Sequence, residues 1–239
     1  MKKILLFAIV TAFILQCCDG PNVRKHHFFK SYITKYTCAD SIKLDISRNG
    51  NIKIKIEQGI SCSFRDKGAF KVKFDNLCKE NNDLSYNKKR NYIVFPHWGY
   101  TSAARFTNIE VVSDKDFDAA HPAGKSLKDI VRFVSNSPKK FIDSGYSSTF
   151  NWYSSDLSAS FTREPEAEPT NHSEAENYFP IDVKLSEFTE NDGKILGYGS
   201  TLGFLLFDAE PTTNKEHTLT VTIYTAEGKK HTNTITKVF

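Results

Sequence analysis

The sequence predicts a mainly β chain folded as an antiparallel sandwich, and three observations carry that expectation. Several short segments alternate apolar and polar residues with period two, the signature of strands with one buried face. Turn residues separate them, above all Asn49-Gly50, the strongest short-range hairpin signal available. The regular alternation of strands with helices that marks a parallel α/β sheet is absent. Together these predict an immunoglobulin-like β-sandwich with one short helix.

The chain opens with Lys2 and Lys3, followed by an apolar run from Ile4 to Leu15 broken only by Thr11. That run is shorter than the roughly 20 residues a membrane-spanning helix needs. A basic start before a short apolar stretch is the pattern of an export signal. The run ends in Leu15-Gln16-Cys17-Cys18-Asp19, which resembles a bacterial lipobox. Lipidation at Cys18 puts Leu15 at the leucine position and the small Cys17 before the cut; Cys17 is the alternative register. The expected organisation is a signal over 1–17, a tether over 18–31 and a β-sandwich domain over 32–239, in one unit or two halves. The 114–150 stretch is the weak point of the one-unit reading.

Ser41–Ser47 and Asn51–Gln58 alternate around Asn49-Gly50 and predict a hairpin. Phe70, Val72 and Phe74 repeat the alternation and predict a strand over Ala69–Phe74. Lys79–Arg90 reads as a loop, and Asn91–Phe95 and Phe106–Val112 as further strands. Leu127, Ile130, Val131 and Val134 fall at helical spacing behind Ser126-Leu-Lys-Asp129, a capping-like start. The expected helix ends before Pro138. Glu164–Glu176, with Pro165 and Pro169, reads as an exposed loop. The last third returns to strands over Ile181–Leu185, Leu202–Phe207, Thr218–Tyr224 and His231–Val238, the final pair joined by a turn at Gly228.

Composition bounds the partners. With 13% aromatics, including 19 Phe and 10 Tyr, the chain can fill a core. Of 32 basic residues, Lys2 and Lys3 leave with the signal, so 30 face 28 acidic ones in a near-neutral domain. No basic patch suggests nucleic acid. Cys38, Cys62 and Cys78 lie beyond the anchor, and export permits a disulfide whose pairing the spacing leaves open.

Two constellations invite a ligand. Trp98 and Tyr100 form one aromatic cluster, Trp152 and Tyr153 another; exposed rings stack on sugar faces, while buried ones fill cores. Asp114, Asp116 and Asp118 alternate like oxygen ligands of calcium. The EF-hand template fails, because its sixth position is Ala119 and its twelfth Lys125. A solvated turn is the preferred reading there, and no metal or other cofactor is expected. Hydrolase signals are thin: there is no G-x-S-x-G and no H-E-x-x-H. Glu164, Glu166 and Glu168 alternate without a pattern that would make them a glycosidase pair.

The stretch Phe106-Thr-Asn-Ile-Glu-Val-Val-Ser-Asp-Lys-Asp-Phe-Asp118, with His121-Pro-Ala-Gly124 and Ser126-Leu-Lys-Asp129, is similar to a family of uncharacterised lipoproteins from Bacteroidetes-type gut bacteria. That resemblance implies a cell-envelope location and supplies no catalytic residues. The expected function is a non-enzymatic, lipid-anchored binding module at the cell envelope, with the outer membrane as its expected location, for a glycan or a protein. An envelope assembly subunit pairing through an edge strand is the alternative, and a secreted hydrolase the more distant one.

Overall fold

A computed structural model describes residues 29–87, 101–152, 159–169, 176–197 and 200–239. The described chain is mainly β, in two sheets with few helices. Its first hairpin joins β1 (Lys35–Ile46) to β2 (Ile52–Ser63), followed by helix α1 (Gly68–Glu80). Next come β3 (Thr101–Ser102), β4 (Phe106–Ser113), β5 (Val131–Ser137) and the one-turn helices α2 (Lys139–Asp143) and α3 (Ala159–Arg163). The chain closes with β6 (Phe179–Lys184), β7 (Thr201–Phe207), β8 (Glu216–Thr225) and β9 (Lys230–Val238).

The larger sheet has six strands in the order β3-β1-β2-β7-β5-β6, and the smaller has three, β4-β8-β9. All pairs are antiparallel except β1 with β3. Early and late parts of the chain share the large sheet, because β2 pairs with β7 and the 114–150 stretch supplies β5 between β7 and β6.

Two cores follow from this arrangement. Ile42, Leu44, Ile52, Ile54 and Phe133 of the large sheet face Ile109, Val111, Leu219, Val221 and Ile223 of the small one. The opposite face of the large sheet, with Tyr36, Cys62, Val134, Phe204 and Leu206, is covered by α1 through Phe74 and Cys78, and by Phe141, Trp152 and Phe161. The protein is thus layered as small sheet, large sheet and helical cover. A strand buried on both faces reads as a near-continuous apolar run, which is what Leu202–Phe207 is.

Two expected elements exchange type. Ala69–Phe74 is helical, the start of α1, with Phe74 and Cys78 buried one turn apart while Phe70 and Val72 are exposed. Period-two spacing over so short a run does not separate the two structures; the later Leu77 and Cys78 supply the helical period. Residues 126–130 form a turn, and Val131–Ser137 is a strand in place of the expected helix. The helical spacing arises because Val131 enters one core and Val134 the other. Helix α2 starts behind Pro138, which takes the N-cap position where a stop was expected. The exposed-loop expectation also fails at its start: Glu164 is fully buried and residues 165–167 form a 3-10 turn. The Asn91–Phe95 strand lies outside the described residues.

Candidate functional site

A groove of about 500 Å³ opens between α1 and the closing hairpin. Gly68, at a φ of +59°, turns the chain out of β2 into α1, and Phe74 seats the helix with its ring 5.8 Å from that of Tyr36. With that face buried, Ala69, Val72, Lys73 and Asn76 form the stripe that lines the groove, as helical spacing of three and four requires. Cys38 and Ala39 of β1 and Ala103–Arg105 form the floor, and Glu227, Lys229 and His231 the far wall. Arg105 ties that wall down, 3.1 Å from Glu227 and 3.7 Å from Glu190.

The floor carries the unusual chemistry. Cys38 is half-buried and Cys62 buried, both reduced, on adjacent strands at diagonal positions: Cys38 pairs with Ile60 and Tyr36 with Cys62. The neighbouring Cys62 thiol and, against the cost of burial, the Lys73 ammonium that lines the same groove favour the Cys38 thiolate and lower its pKa to about 6. The same proximity pushes Cys62 well up, because it must keep its proton while Cys38 is a thiolate. Lys73 is raised in turn, chiefly by the nearby Cys38. Gly59 lets the strands approach here, since a Cβ would stand 2.6 Å from the Cys38 carbonyl oxygen. Cys78 is different: burial first, then Asp83, pushes its thiol up to about 12.

The residues singled out in the sequence are placed elsewhere. Trp152 is 4% exposed, packs edge-on against Phe150 and Phe161, and donates its indole N–H to the Tyr178 carbonyl at 2.9 Å. Its ring is core, not a platform. Cys17, Cys18, Trp98, Tyr100 and Tyr153 lie outside the described residues.

The three aspartates turn to separate tasks. Asp114 accepts the Thr218 N–H, Asp116 the Ala123 N–H, and Asp118 the Ala120 and His121 N–H groups. His121 bridges Asp118 at 2.8 Å and Asp129 at 2.9 Å. Burial opposes its charge, but the two carboxylates outweigh that and raise its pKa. Among the described residues no three His, Cys, Asp or Glu side chains group as metal ligands. Glu166 pairs with Lys53, and Glu164 accepts hydrogen bonds from Ser47 and Asn51.

Sequence reasoning missed Lys73 and its stripe because α1 was expected as a strand. The signal that finds it is the continuation Phe74, Leu77, Cys78 beyond the alternating run. No family model, curated protein or solved structure matches the chain.

Proposed function

We propose that this chain is a lipid-anchored envelope protein, of the Bacteroidetes-type lipoprotein kind, that binds a protein partner through the groove beside α1. The carrying observation is that groove: its helical wall presents Val72, 60% exposed, beside Lys73, and the opposite wall carries Glu227 and Lys229. Apolar surface flanked by charges of both signs suits a peptide segment. Within the described residues the groove has no tryptophan or tyrosine lining to stack on a sugar face, so protein is favoured over glycan. The immunoglobulin-like reading of the two facing sheets belongs to the same proposal, as a scaffold that carries a site at one end. On this reading the protein is a binding module and not an enzyme, held at the outer membrane by Cys18 or Cys17.

The rival, assembly through the terminal strand, has less support. The Asn233 side chain donates to the Ile42 carbonyl at 2.6 Å and Lys237 reaches the Gly50 carbonyl at 2.6 Å, so β9 is tied to the large sheet along that side.

The test is a titration of the full chain in detergent with a panel of amphipathic peptides and a panel of glycans, repeated on Val72→Arg. Peptide binding that weakens at least about tenfold in the variant supports the reading. Glycan binding that survives in the variant, or no binding at all, overturns it. Protease shaving of intact cells tests the anchor: digestion of the domain without lysis places it outside.

A further inference from the structure

The groove floor holds more than a binding surface needs. We propose that Cys38 and Cys62 form a dithiol–disulfide couple that exchanges with a disulfide-bearing molecule entering the groove. The inference does not rest on the peptide reading.

Geometry assigns the order of events. Cys38 borders the open groove and is half-buried, whereas Cys62 is buried behind it and lines a separate cleft of about 330 Å³. The sulfur an incoming disulfide meets is therefore that of Cys38. Its thiolate attacks one sulfur of R–S–S–R; that bond breaks, a mixed disulfide forms on Cys38, and R–S⁻ leaves. Lys73, which lines the groove with Cys38, stands where the leaving thiolate needs a counter-charge and a proton.

The mixed disulfide then changes Cys62. While Cys38 is a thiolate, the Cys62 proton is held by that neighbouring sulfur, by burial and by repulsion between two charged sulfurs. Neutralising Cys38 removes both effects of its charge and leaves only burial to hold the proton, so Cys62 gives it up to solvent more readily and attacks the Cys38 sulfur. The second R–S⁻ leaves, and the Cys38–Cys62 disulfide remains. In sum, two protein thiols are oxidised and one external disulfide is reduced to two thiols.

Diagonal cross-strand neighbours stand about 7–8 Å apart, just beyond ordinary disulfide reach, so closing the bond must draw β1 and β2 together at this point. The ladder is irregular close by: beyond the Ala39–Gly59 pair the β1–β2 register shifts between Ala39 and Ser41, and such a bulge bends the strand and increases local twist. Cys78 takes no part, because it is buried on the inner face of α1 and bordered by Asp83.

The experiment uses the reduced full chain in detergent, with oxidised glutathione as the disulfide and peptide mapping by mass spectrometry to separate Cys38 from the other cysteines. Iodoacetamide labelling of Cys38 should rise with a pH midpoint below about 7, against about 8.5 for an ordinary thiol. Lys73→Ala should move that midpoint upward. Oxidised glutathione should give a Cys38–Cys62 cross-linked peptide in the native chain and a persistent glutathione adduct on Cys38 in Cys62→Ala. A Cys38 midpoint at the ordinary value, or a native chain that yields no Cys38–Cys62 peptide, overturns the proposal. Both decisive readings come from the native sequence and so survive a variant that fails to fold.

Discussion

The two β-hairpins of this protein are built on the same turn and put to different uses. In each, a three-residue loop closes with a glycine at φ +78°: Gly50 donates to the Ser47 carbonyl at 3.0 Å, and Gly228 to the Thr225 carbonyl at 3.0 Å. This is a type I turn followed by a left-handed residue, a common hairpin connection. Around the first, β1 and β2 lie inside the six-stranded sheet with a core on either face, and the turn is held from outside by buried Glu164. Around the second, β9 alternates exposed and half-buried residues along its length, and the turn stands as a wall of the groove. A local turn code fixes the backbone; what the surroundings bury decides whether the hairpin is scaffold or surface.

The largest expected contrast is in the strands. Ile54→Ala, at a fully buried site, should destabilise by about 3 kcal/mol in urea unfolding, while Ile235→Ala in half-buried β9 should cost about 1 kcal/mol. Equal losses would break the comparison. Next comes the clamp. Glu164→Ala removes the acceptor for Ser47 at 2.6 Å and Asn51 at 3.1 Å, and should cost about 2 kcal/mol. Glu227→Ala at the second turn loses only a partly exposed pairing with Arg105 and should cost under about 1 kcal/mol.

The glycines should then behave alike. A Cβ at Gly228 meets nothing within 4 Å, and one at Gly50 meets only the Lys237 Nζ at 3.9 Å. Gly50→Ala and Gly228→Ala should therefore each cost about 1–2 kcal/mol through backbone strain alone, measured by the same unfolding curves. A large excess at Gly50 would show that the surroundings of the first turn add more than its conformation.

The smallest effect separates the hairpins by pH. At the foot of the first, Asp83 accepts the Tyr32 and Ile33 N–H groups at 2.7 and 2.8 Å, yet burial raises its carboxyl to about 6. The folded state then binds the proton more tightly than the unfolded state, so this group's contribution improves as pH falls from about 6 towards 3.8. On the second hairpin, burial and then Lys229 lower the pKa of His231. Its folded state resists the proton, so its contribution is present above about 6.5 and is lost as pH falls below that value. Stability curves between pH 4 and 8 should thus lose an acid-side gain in Asp83→Asn and lose an acid-side penalty in His231→Asn. Matching slopes for the two variants would sink the assignment.

What could be read from residues alone follows from how local each signal is. Asn49-Gly50 and Gly228 marked both hairpins because positive φ is a property of one residue and its neighbours. Phe106–Val112, Leu202–Phe207 and the closing strands were legible because β-branched and aromatic runs between turn residues have few other uses. Ala69–Phe74 and Leu127–Val134 exchanged types because each is short enough to satisfy either period, and contact with the second core chose between them. Glu164 read as loop surface until the first hairpin folded over it.

The candidate site was the least legible part. Trp152 has the same sequence appearance in a core as on a platform. Cys38, Cys62 and Lys73 are distributed over two strands and a helix, and no spacing rule links them. The sequence by itself determined a mainly β chain, its turns and the apolar supply for its core, because these depend on neighbours along the chain. Only the tertiary structure decided which faces were covered and which thiol met a lysine, because burial and charge depend on neighbours in space.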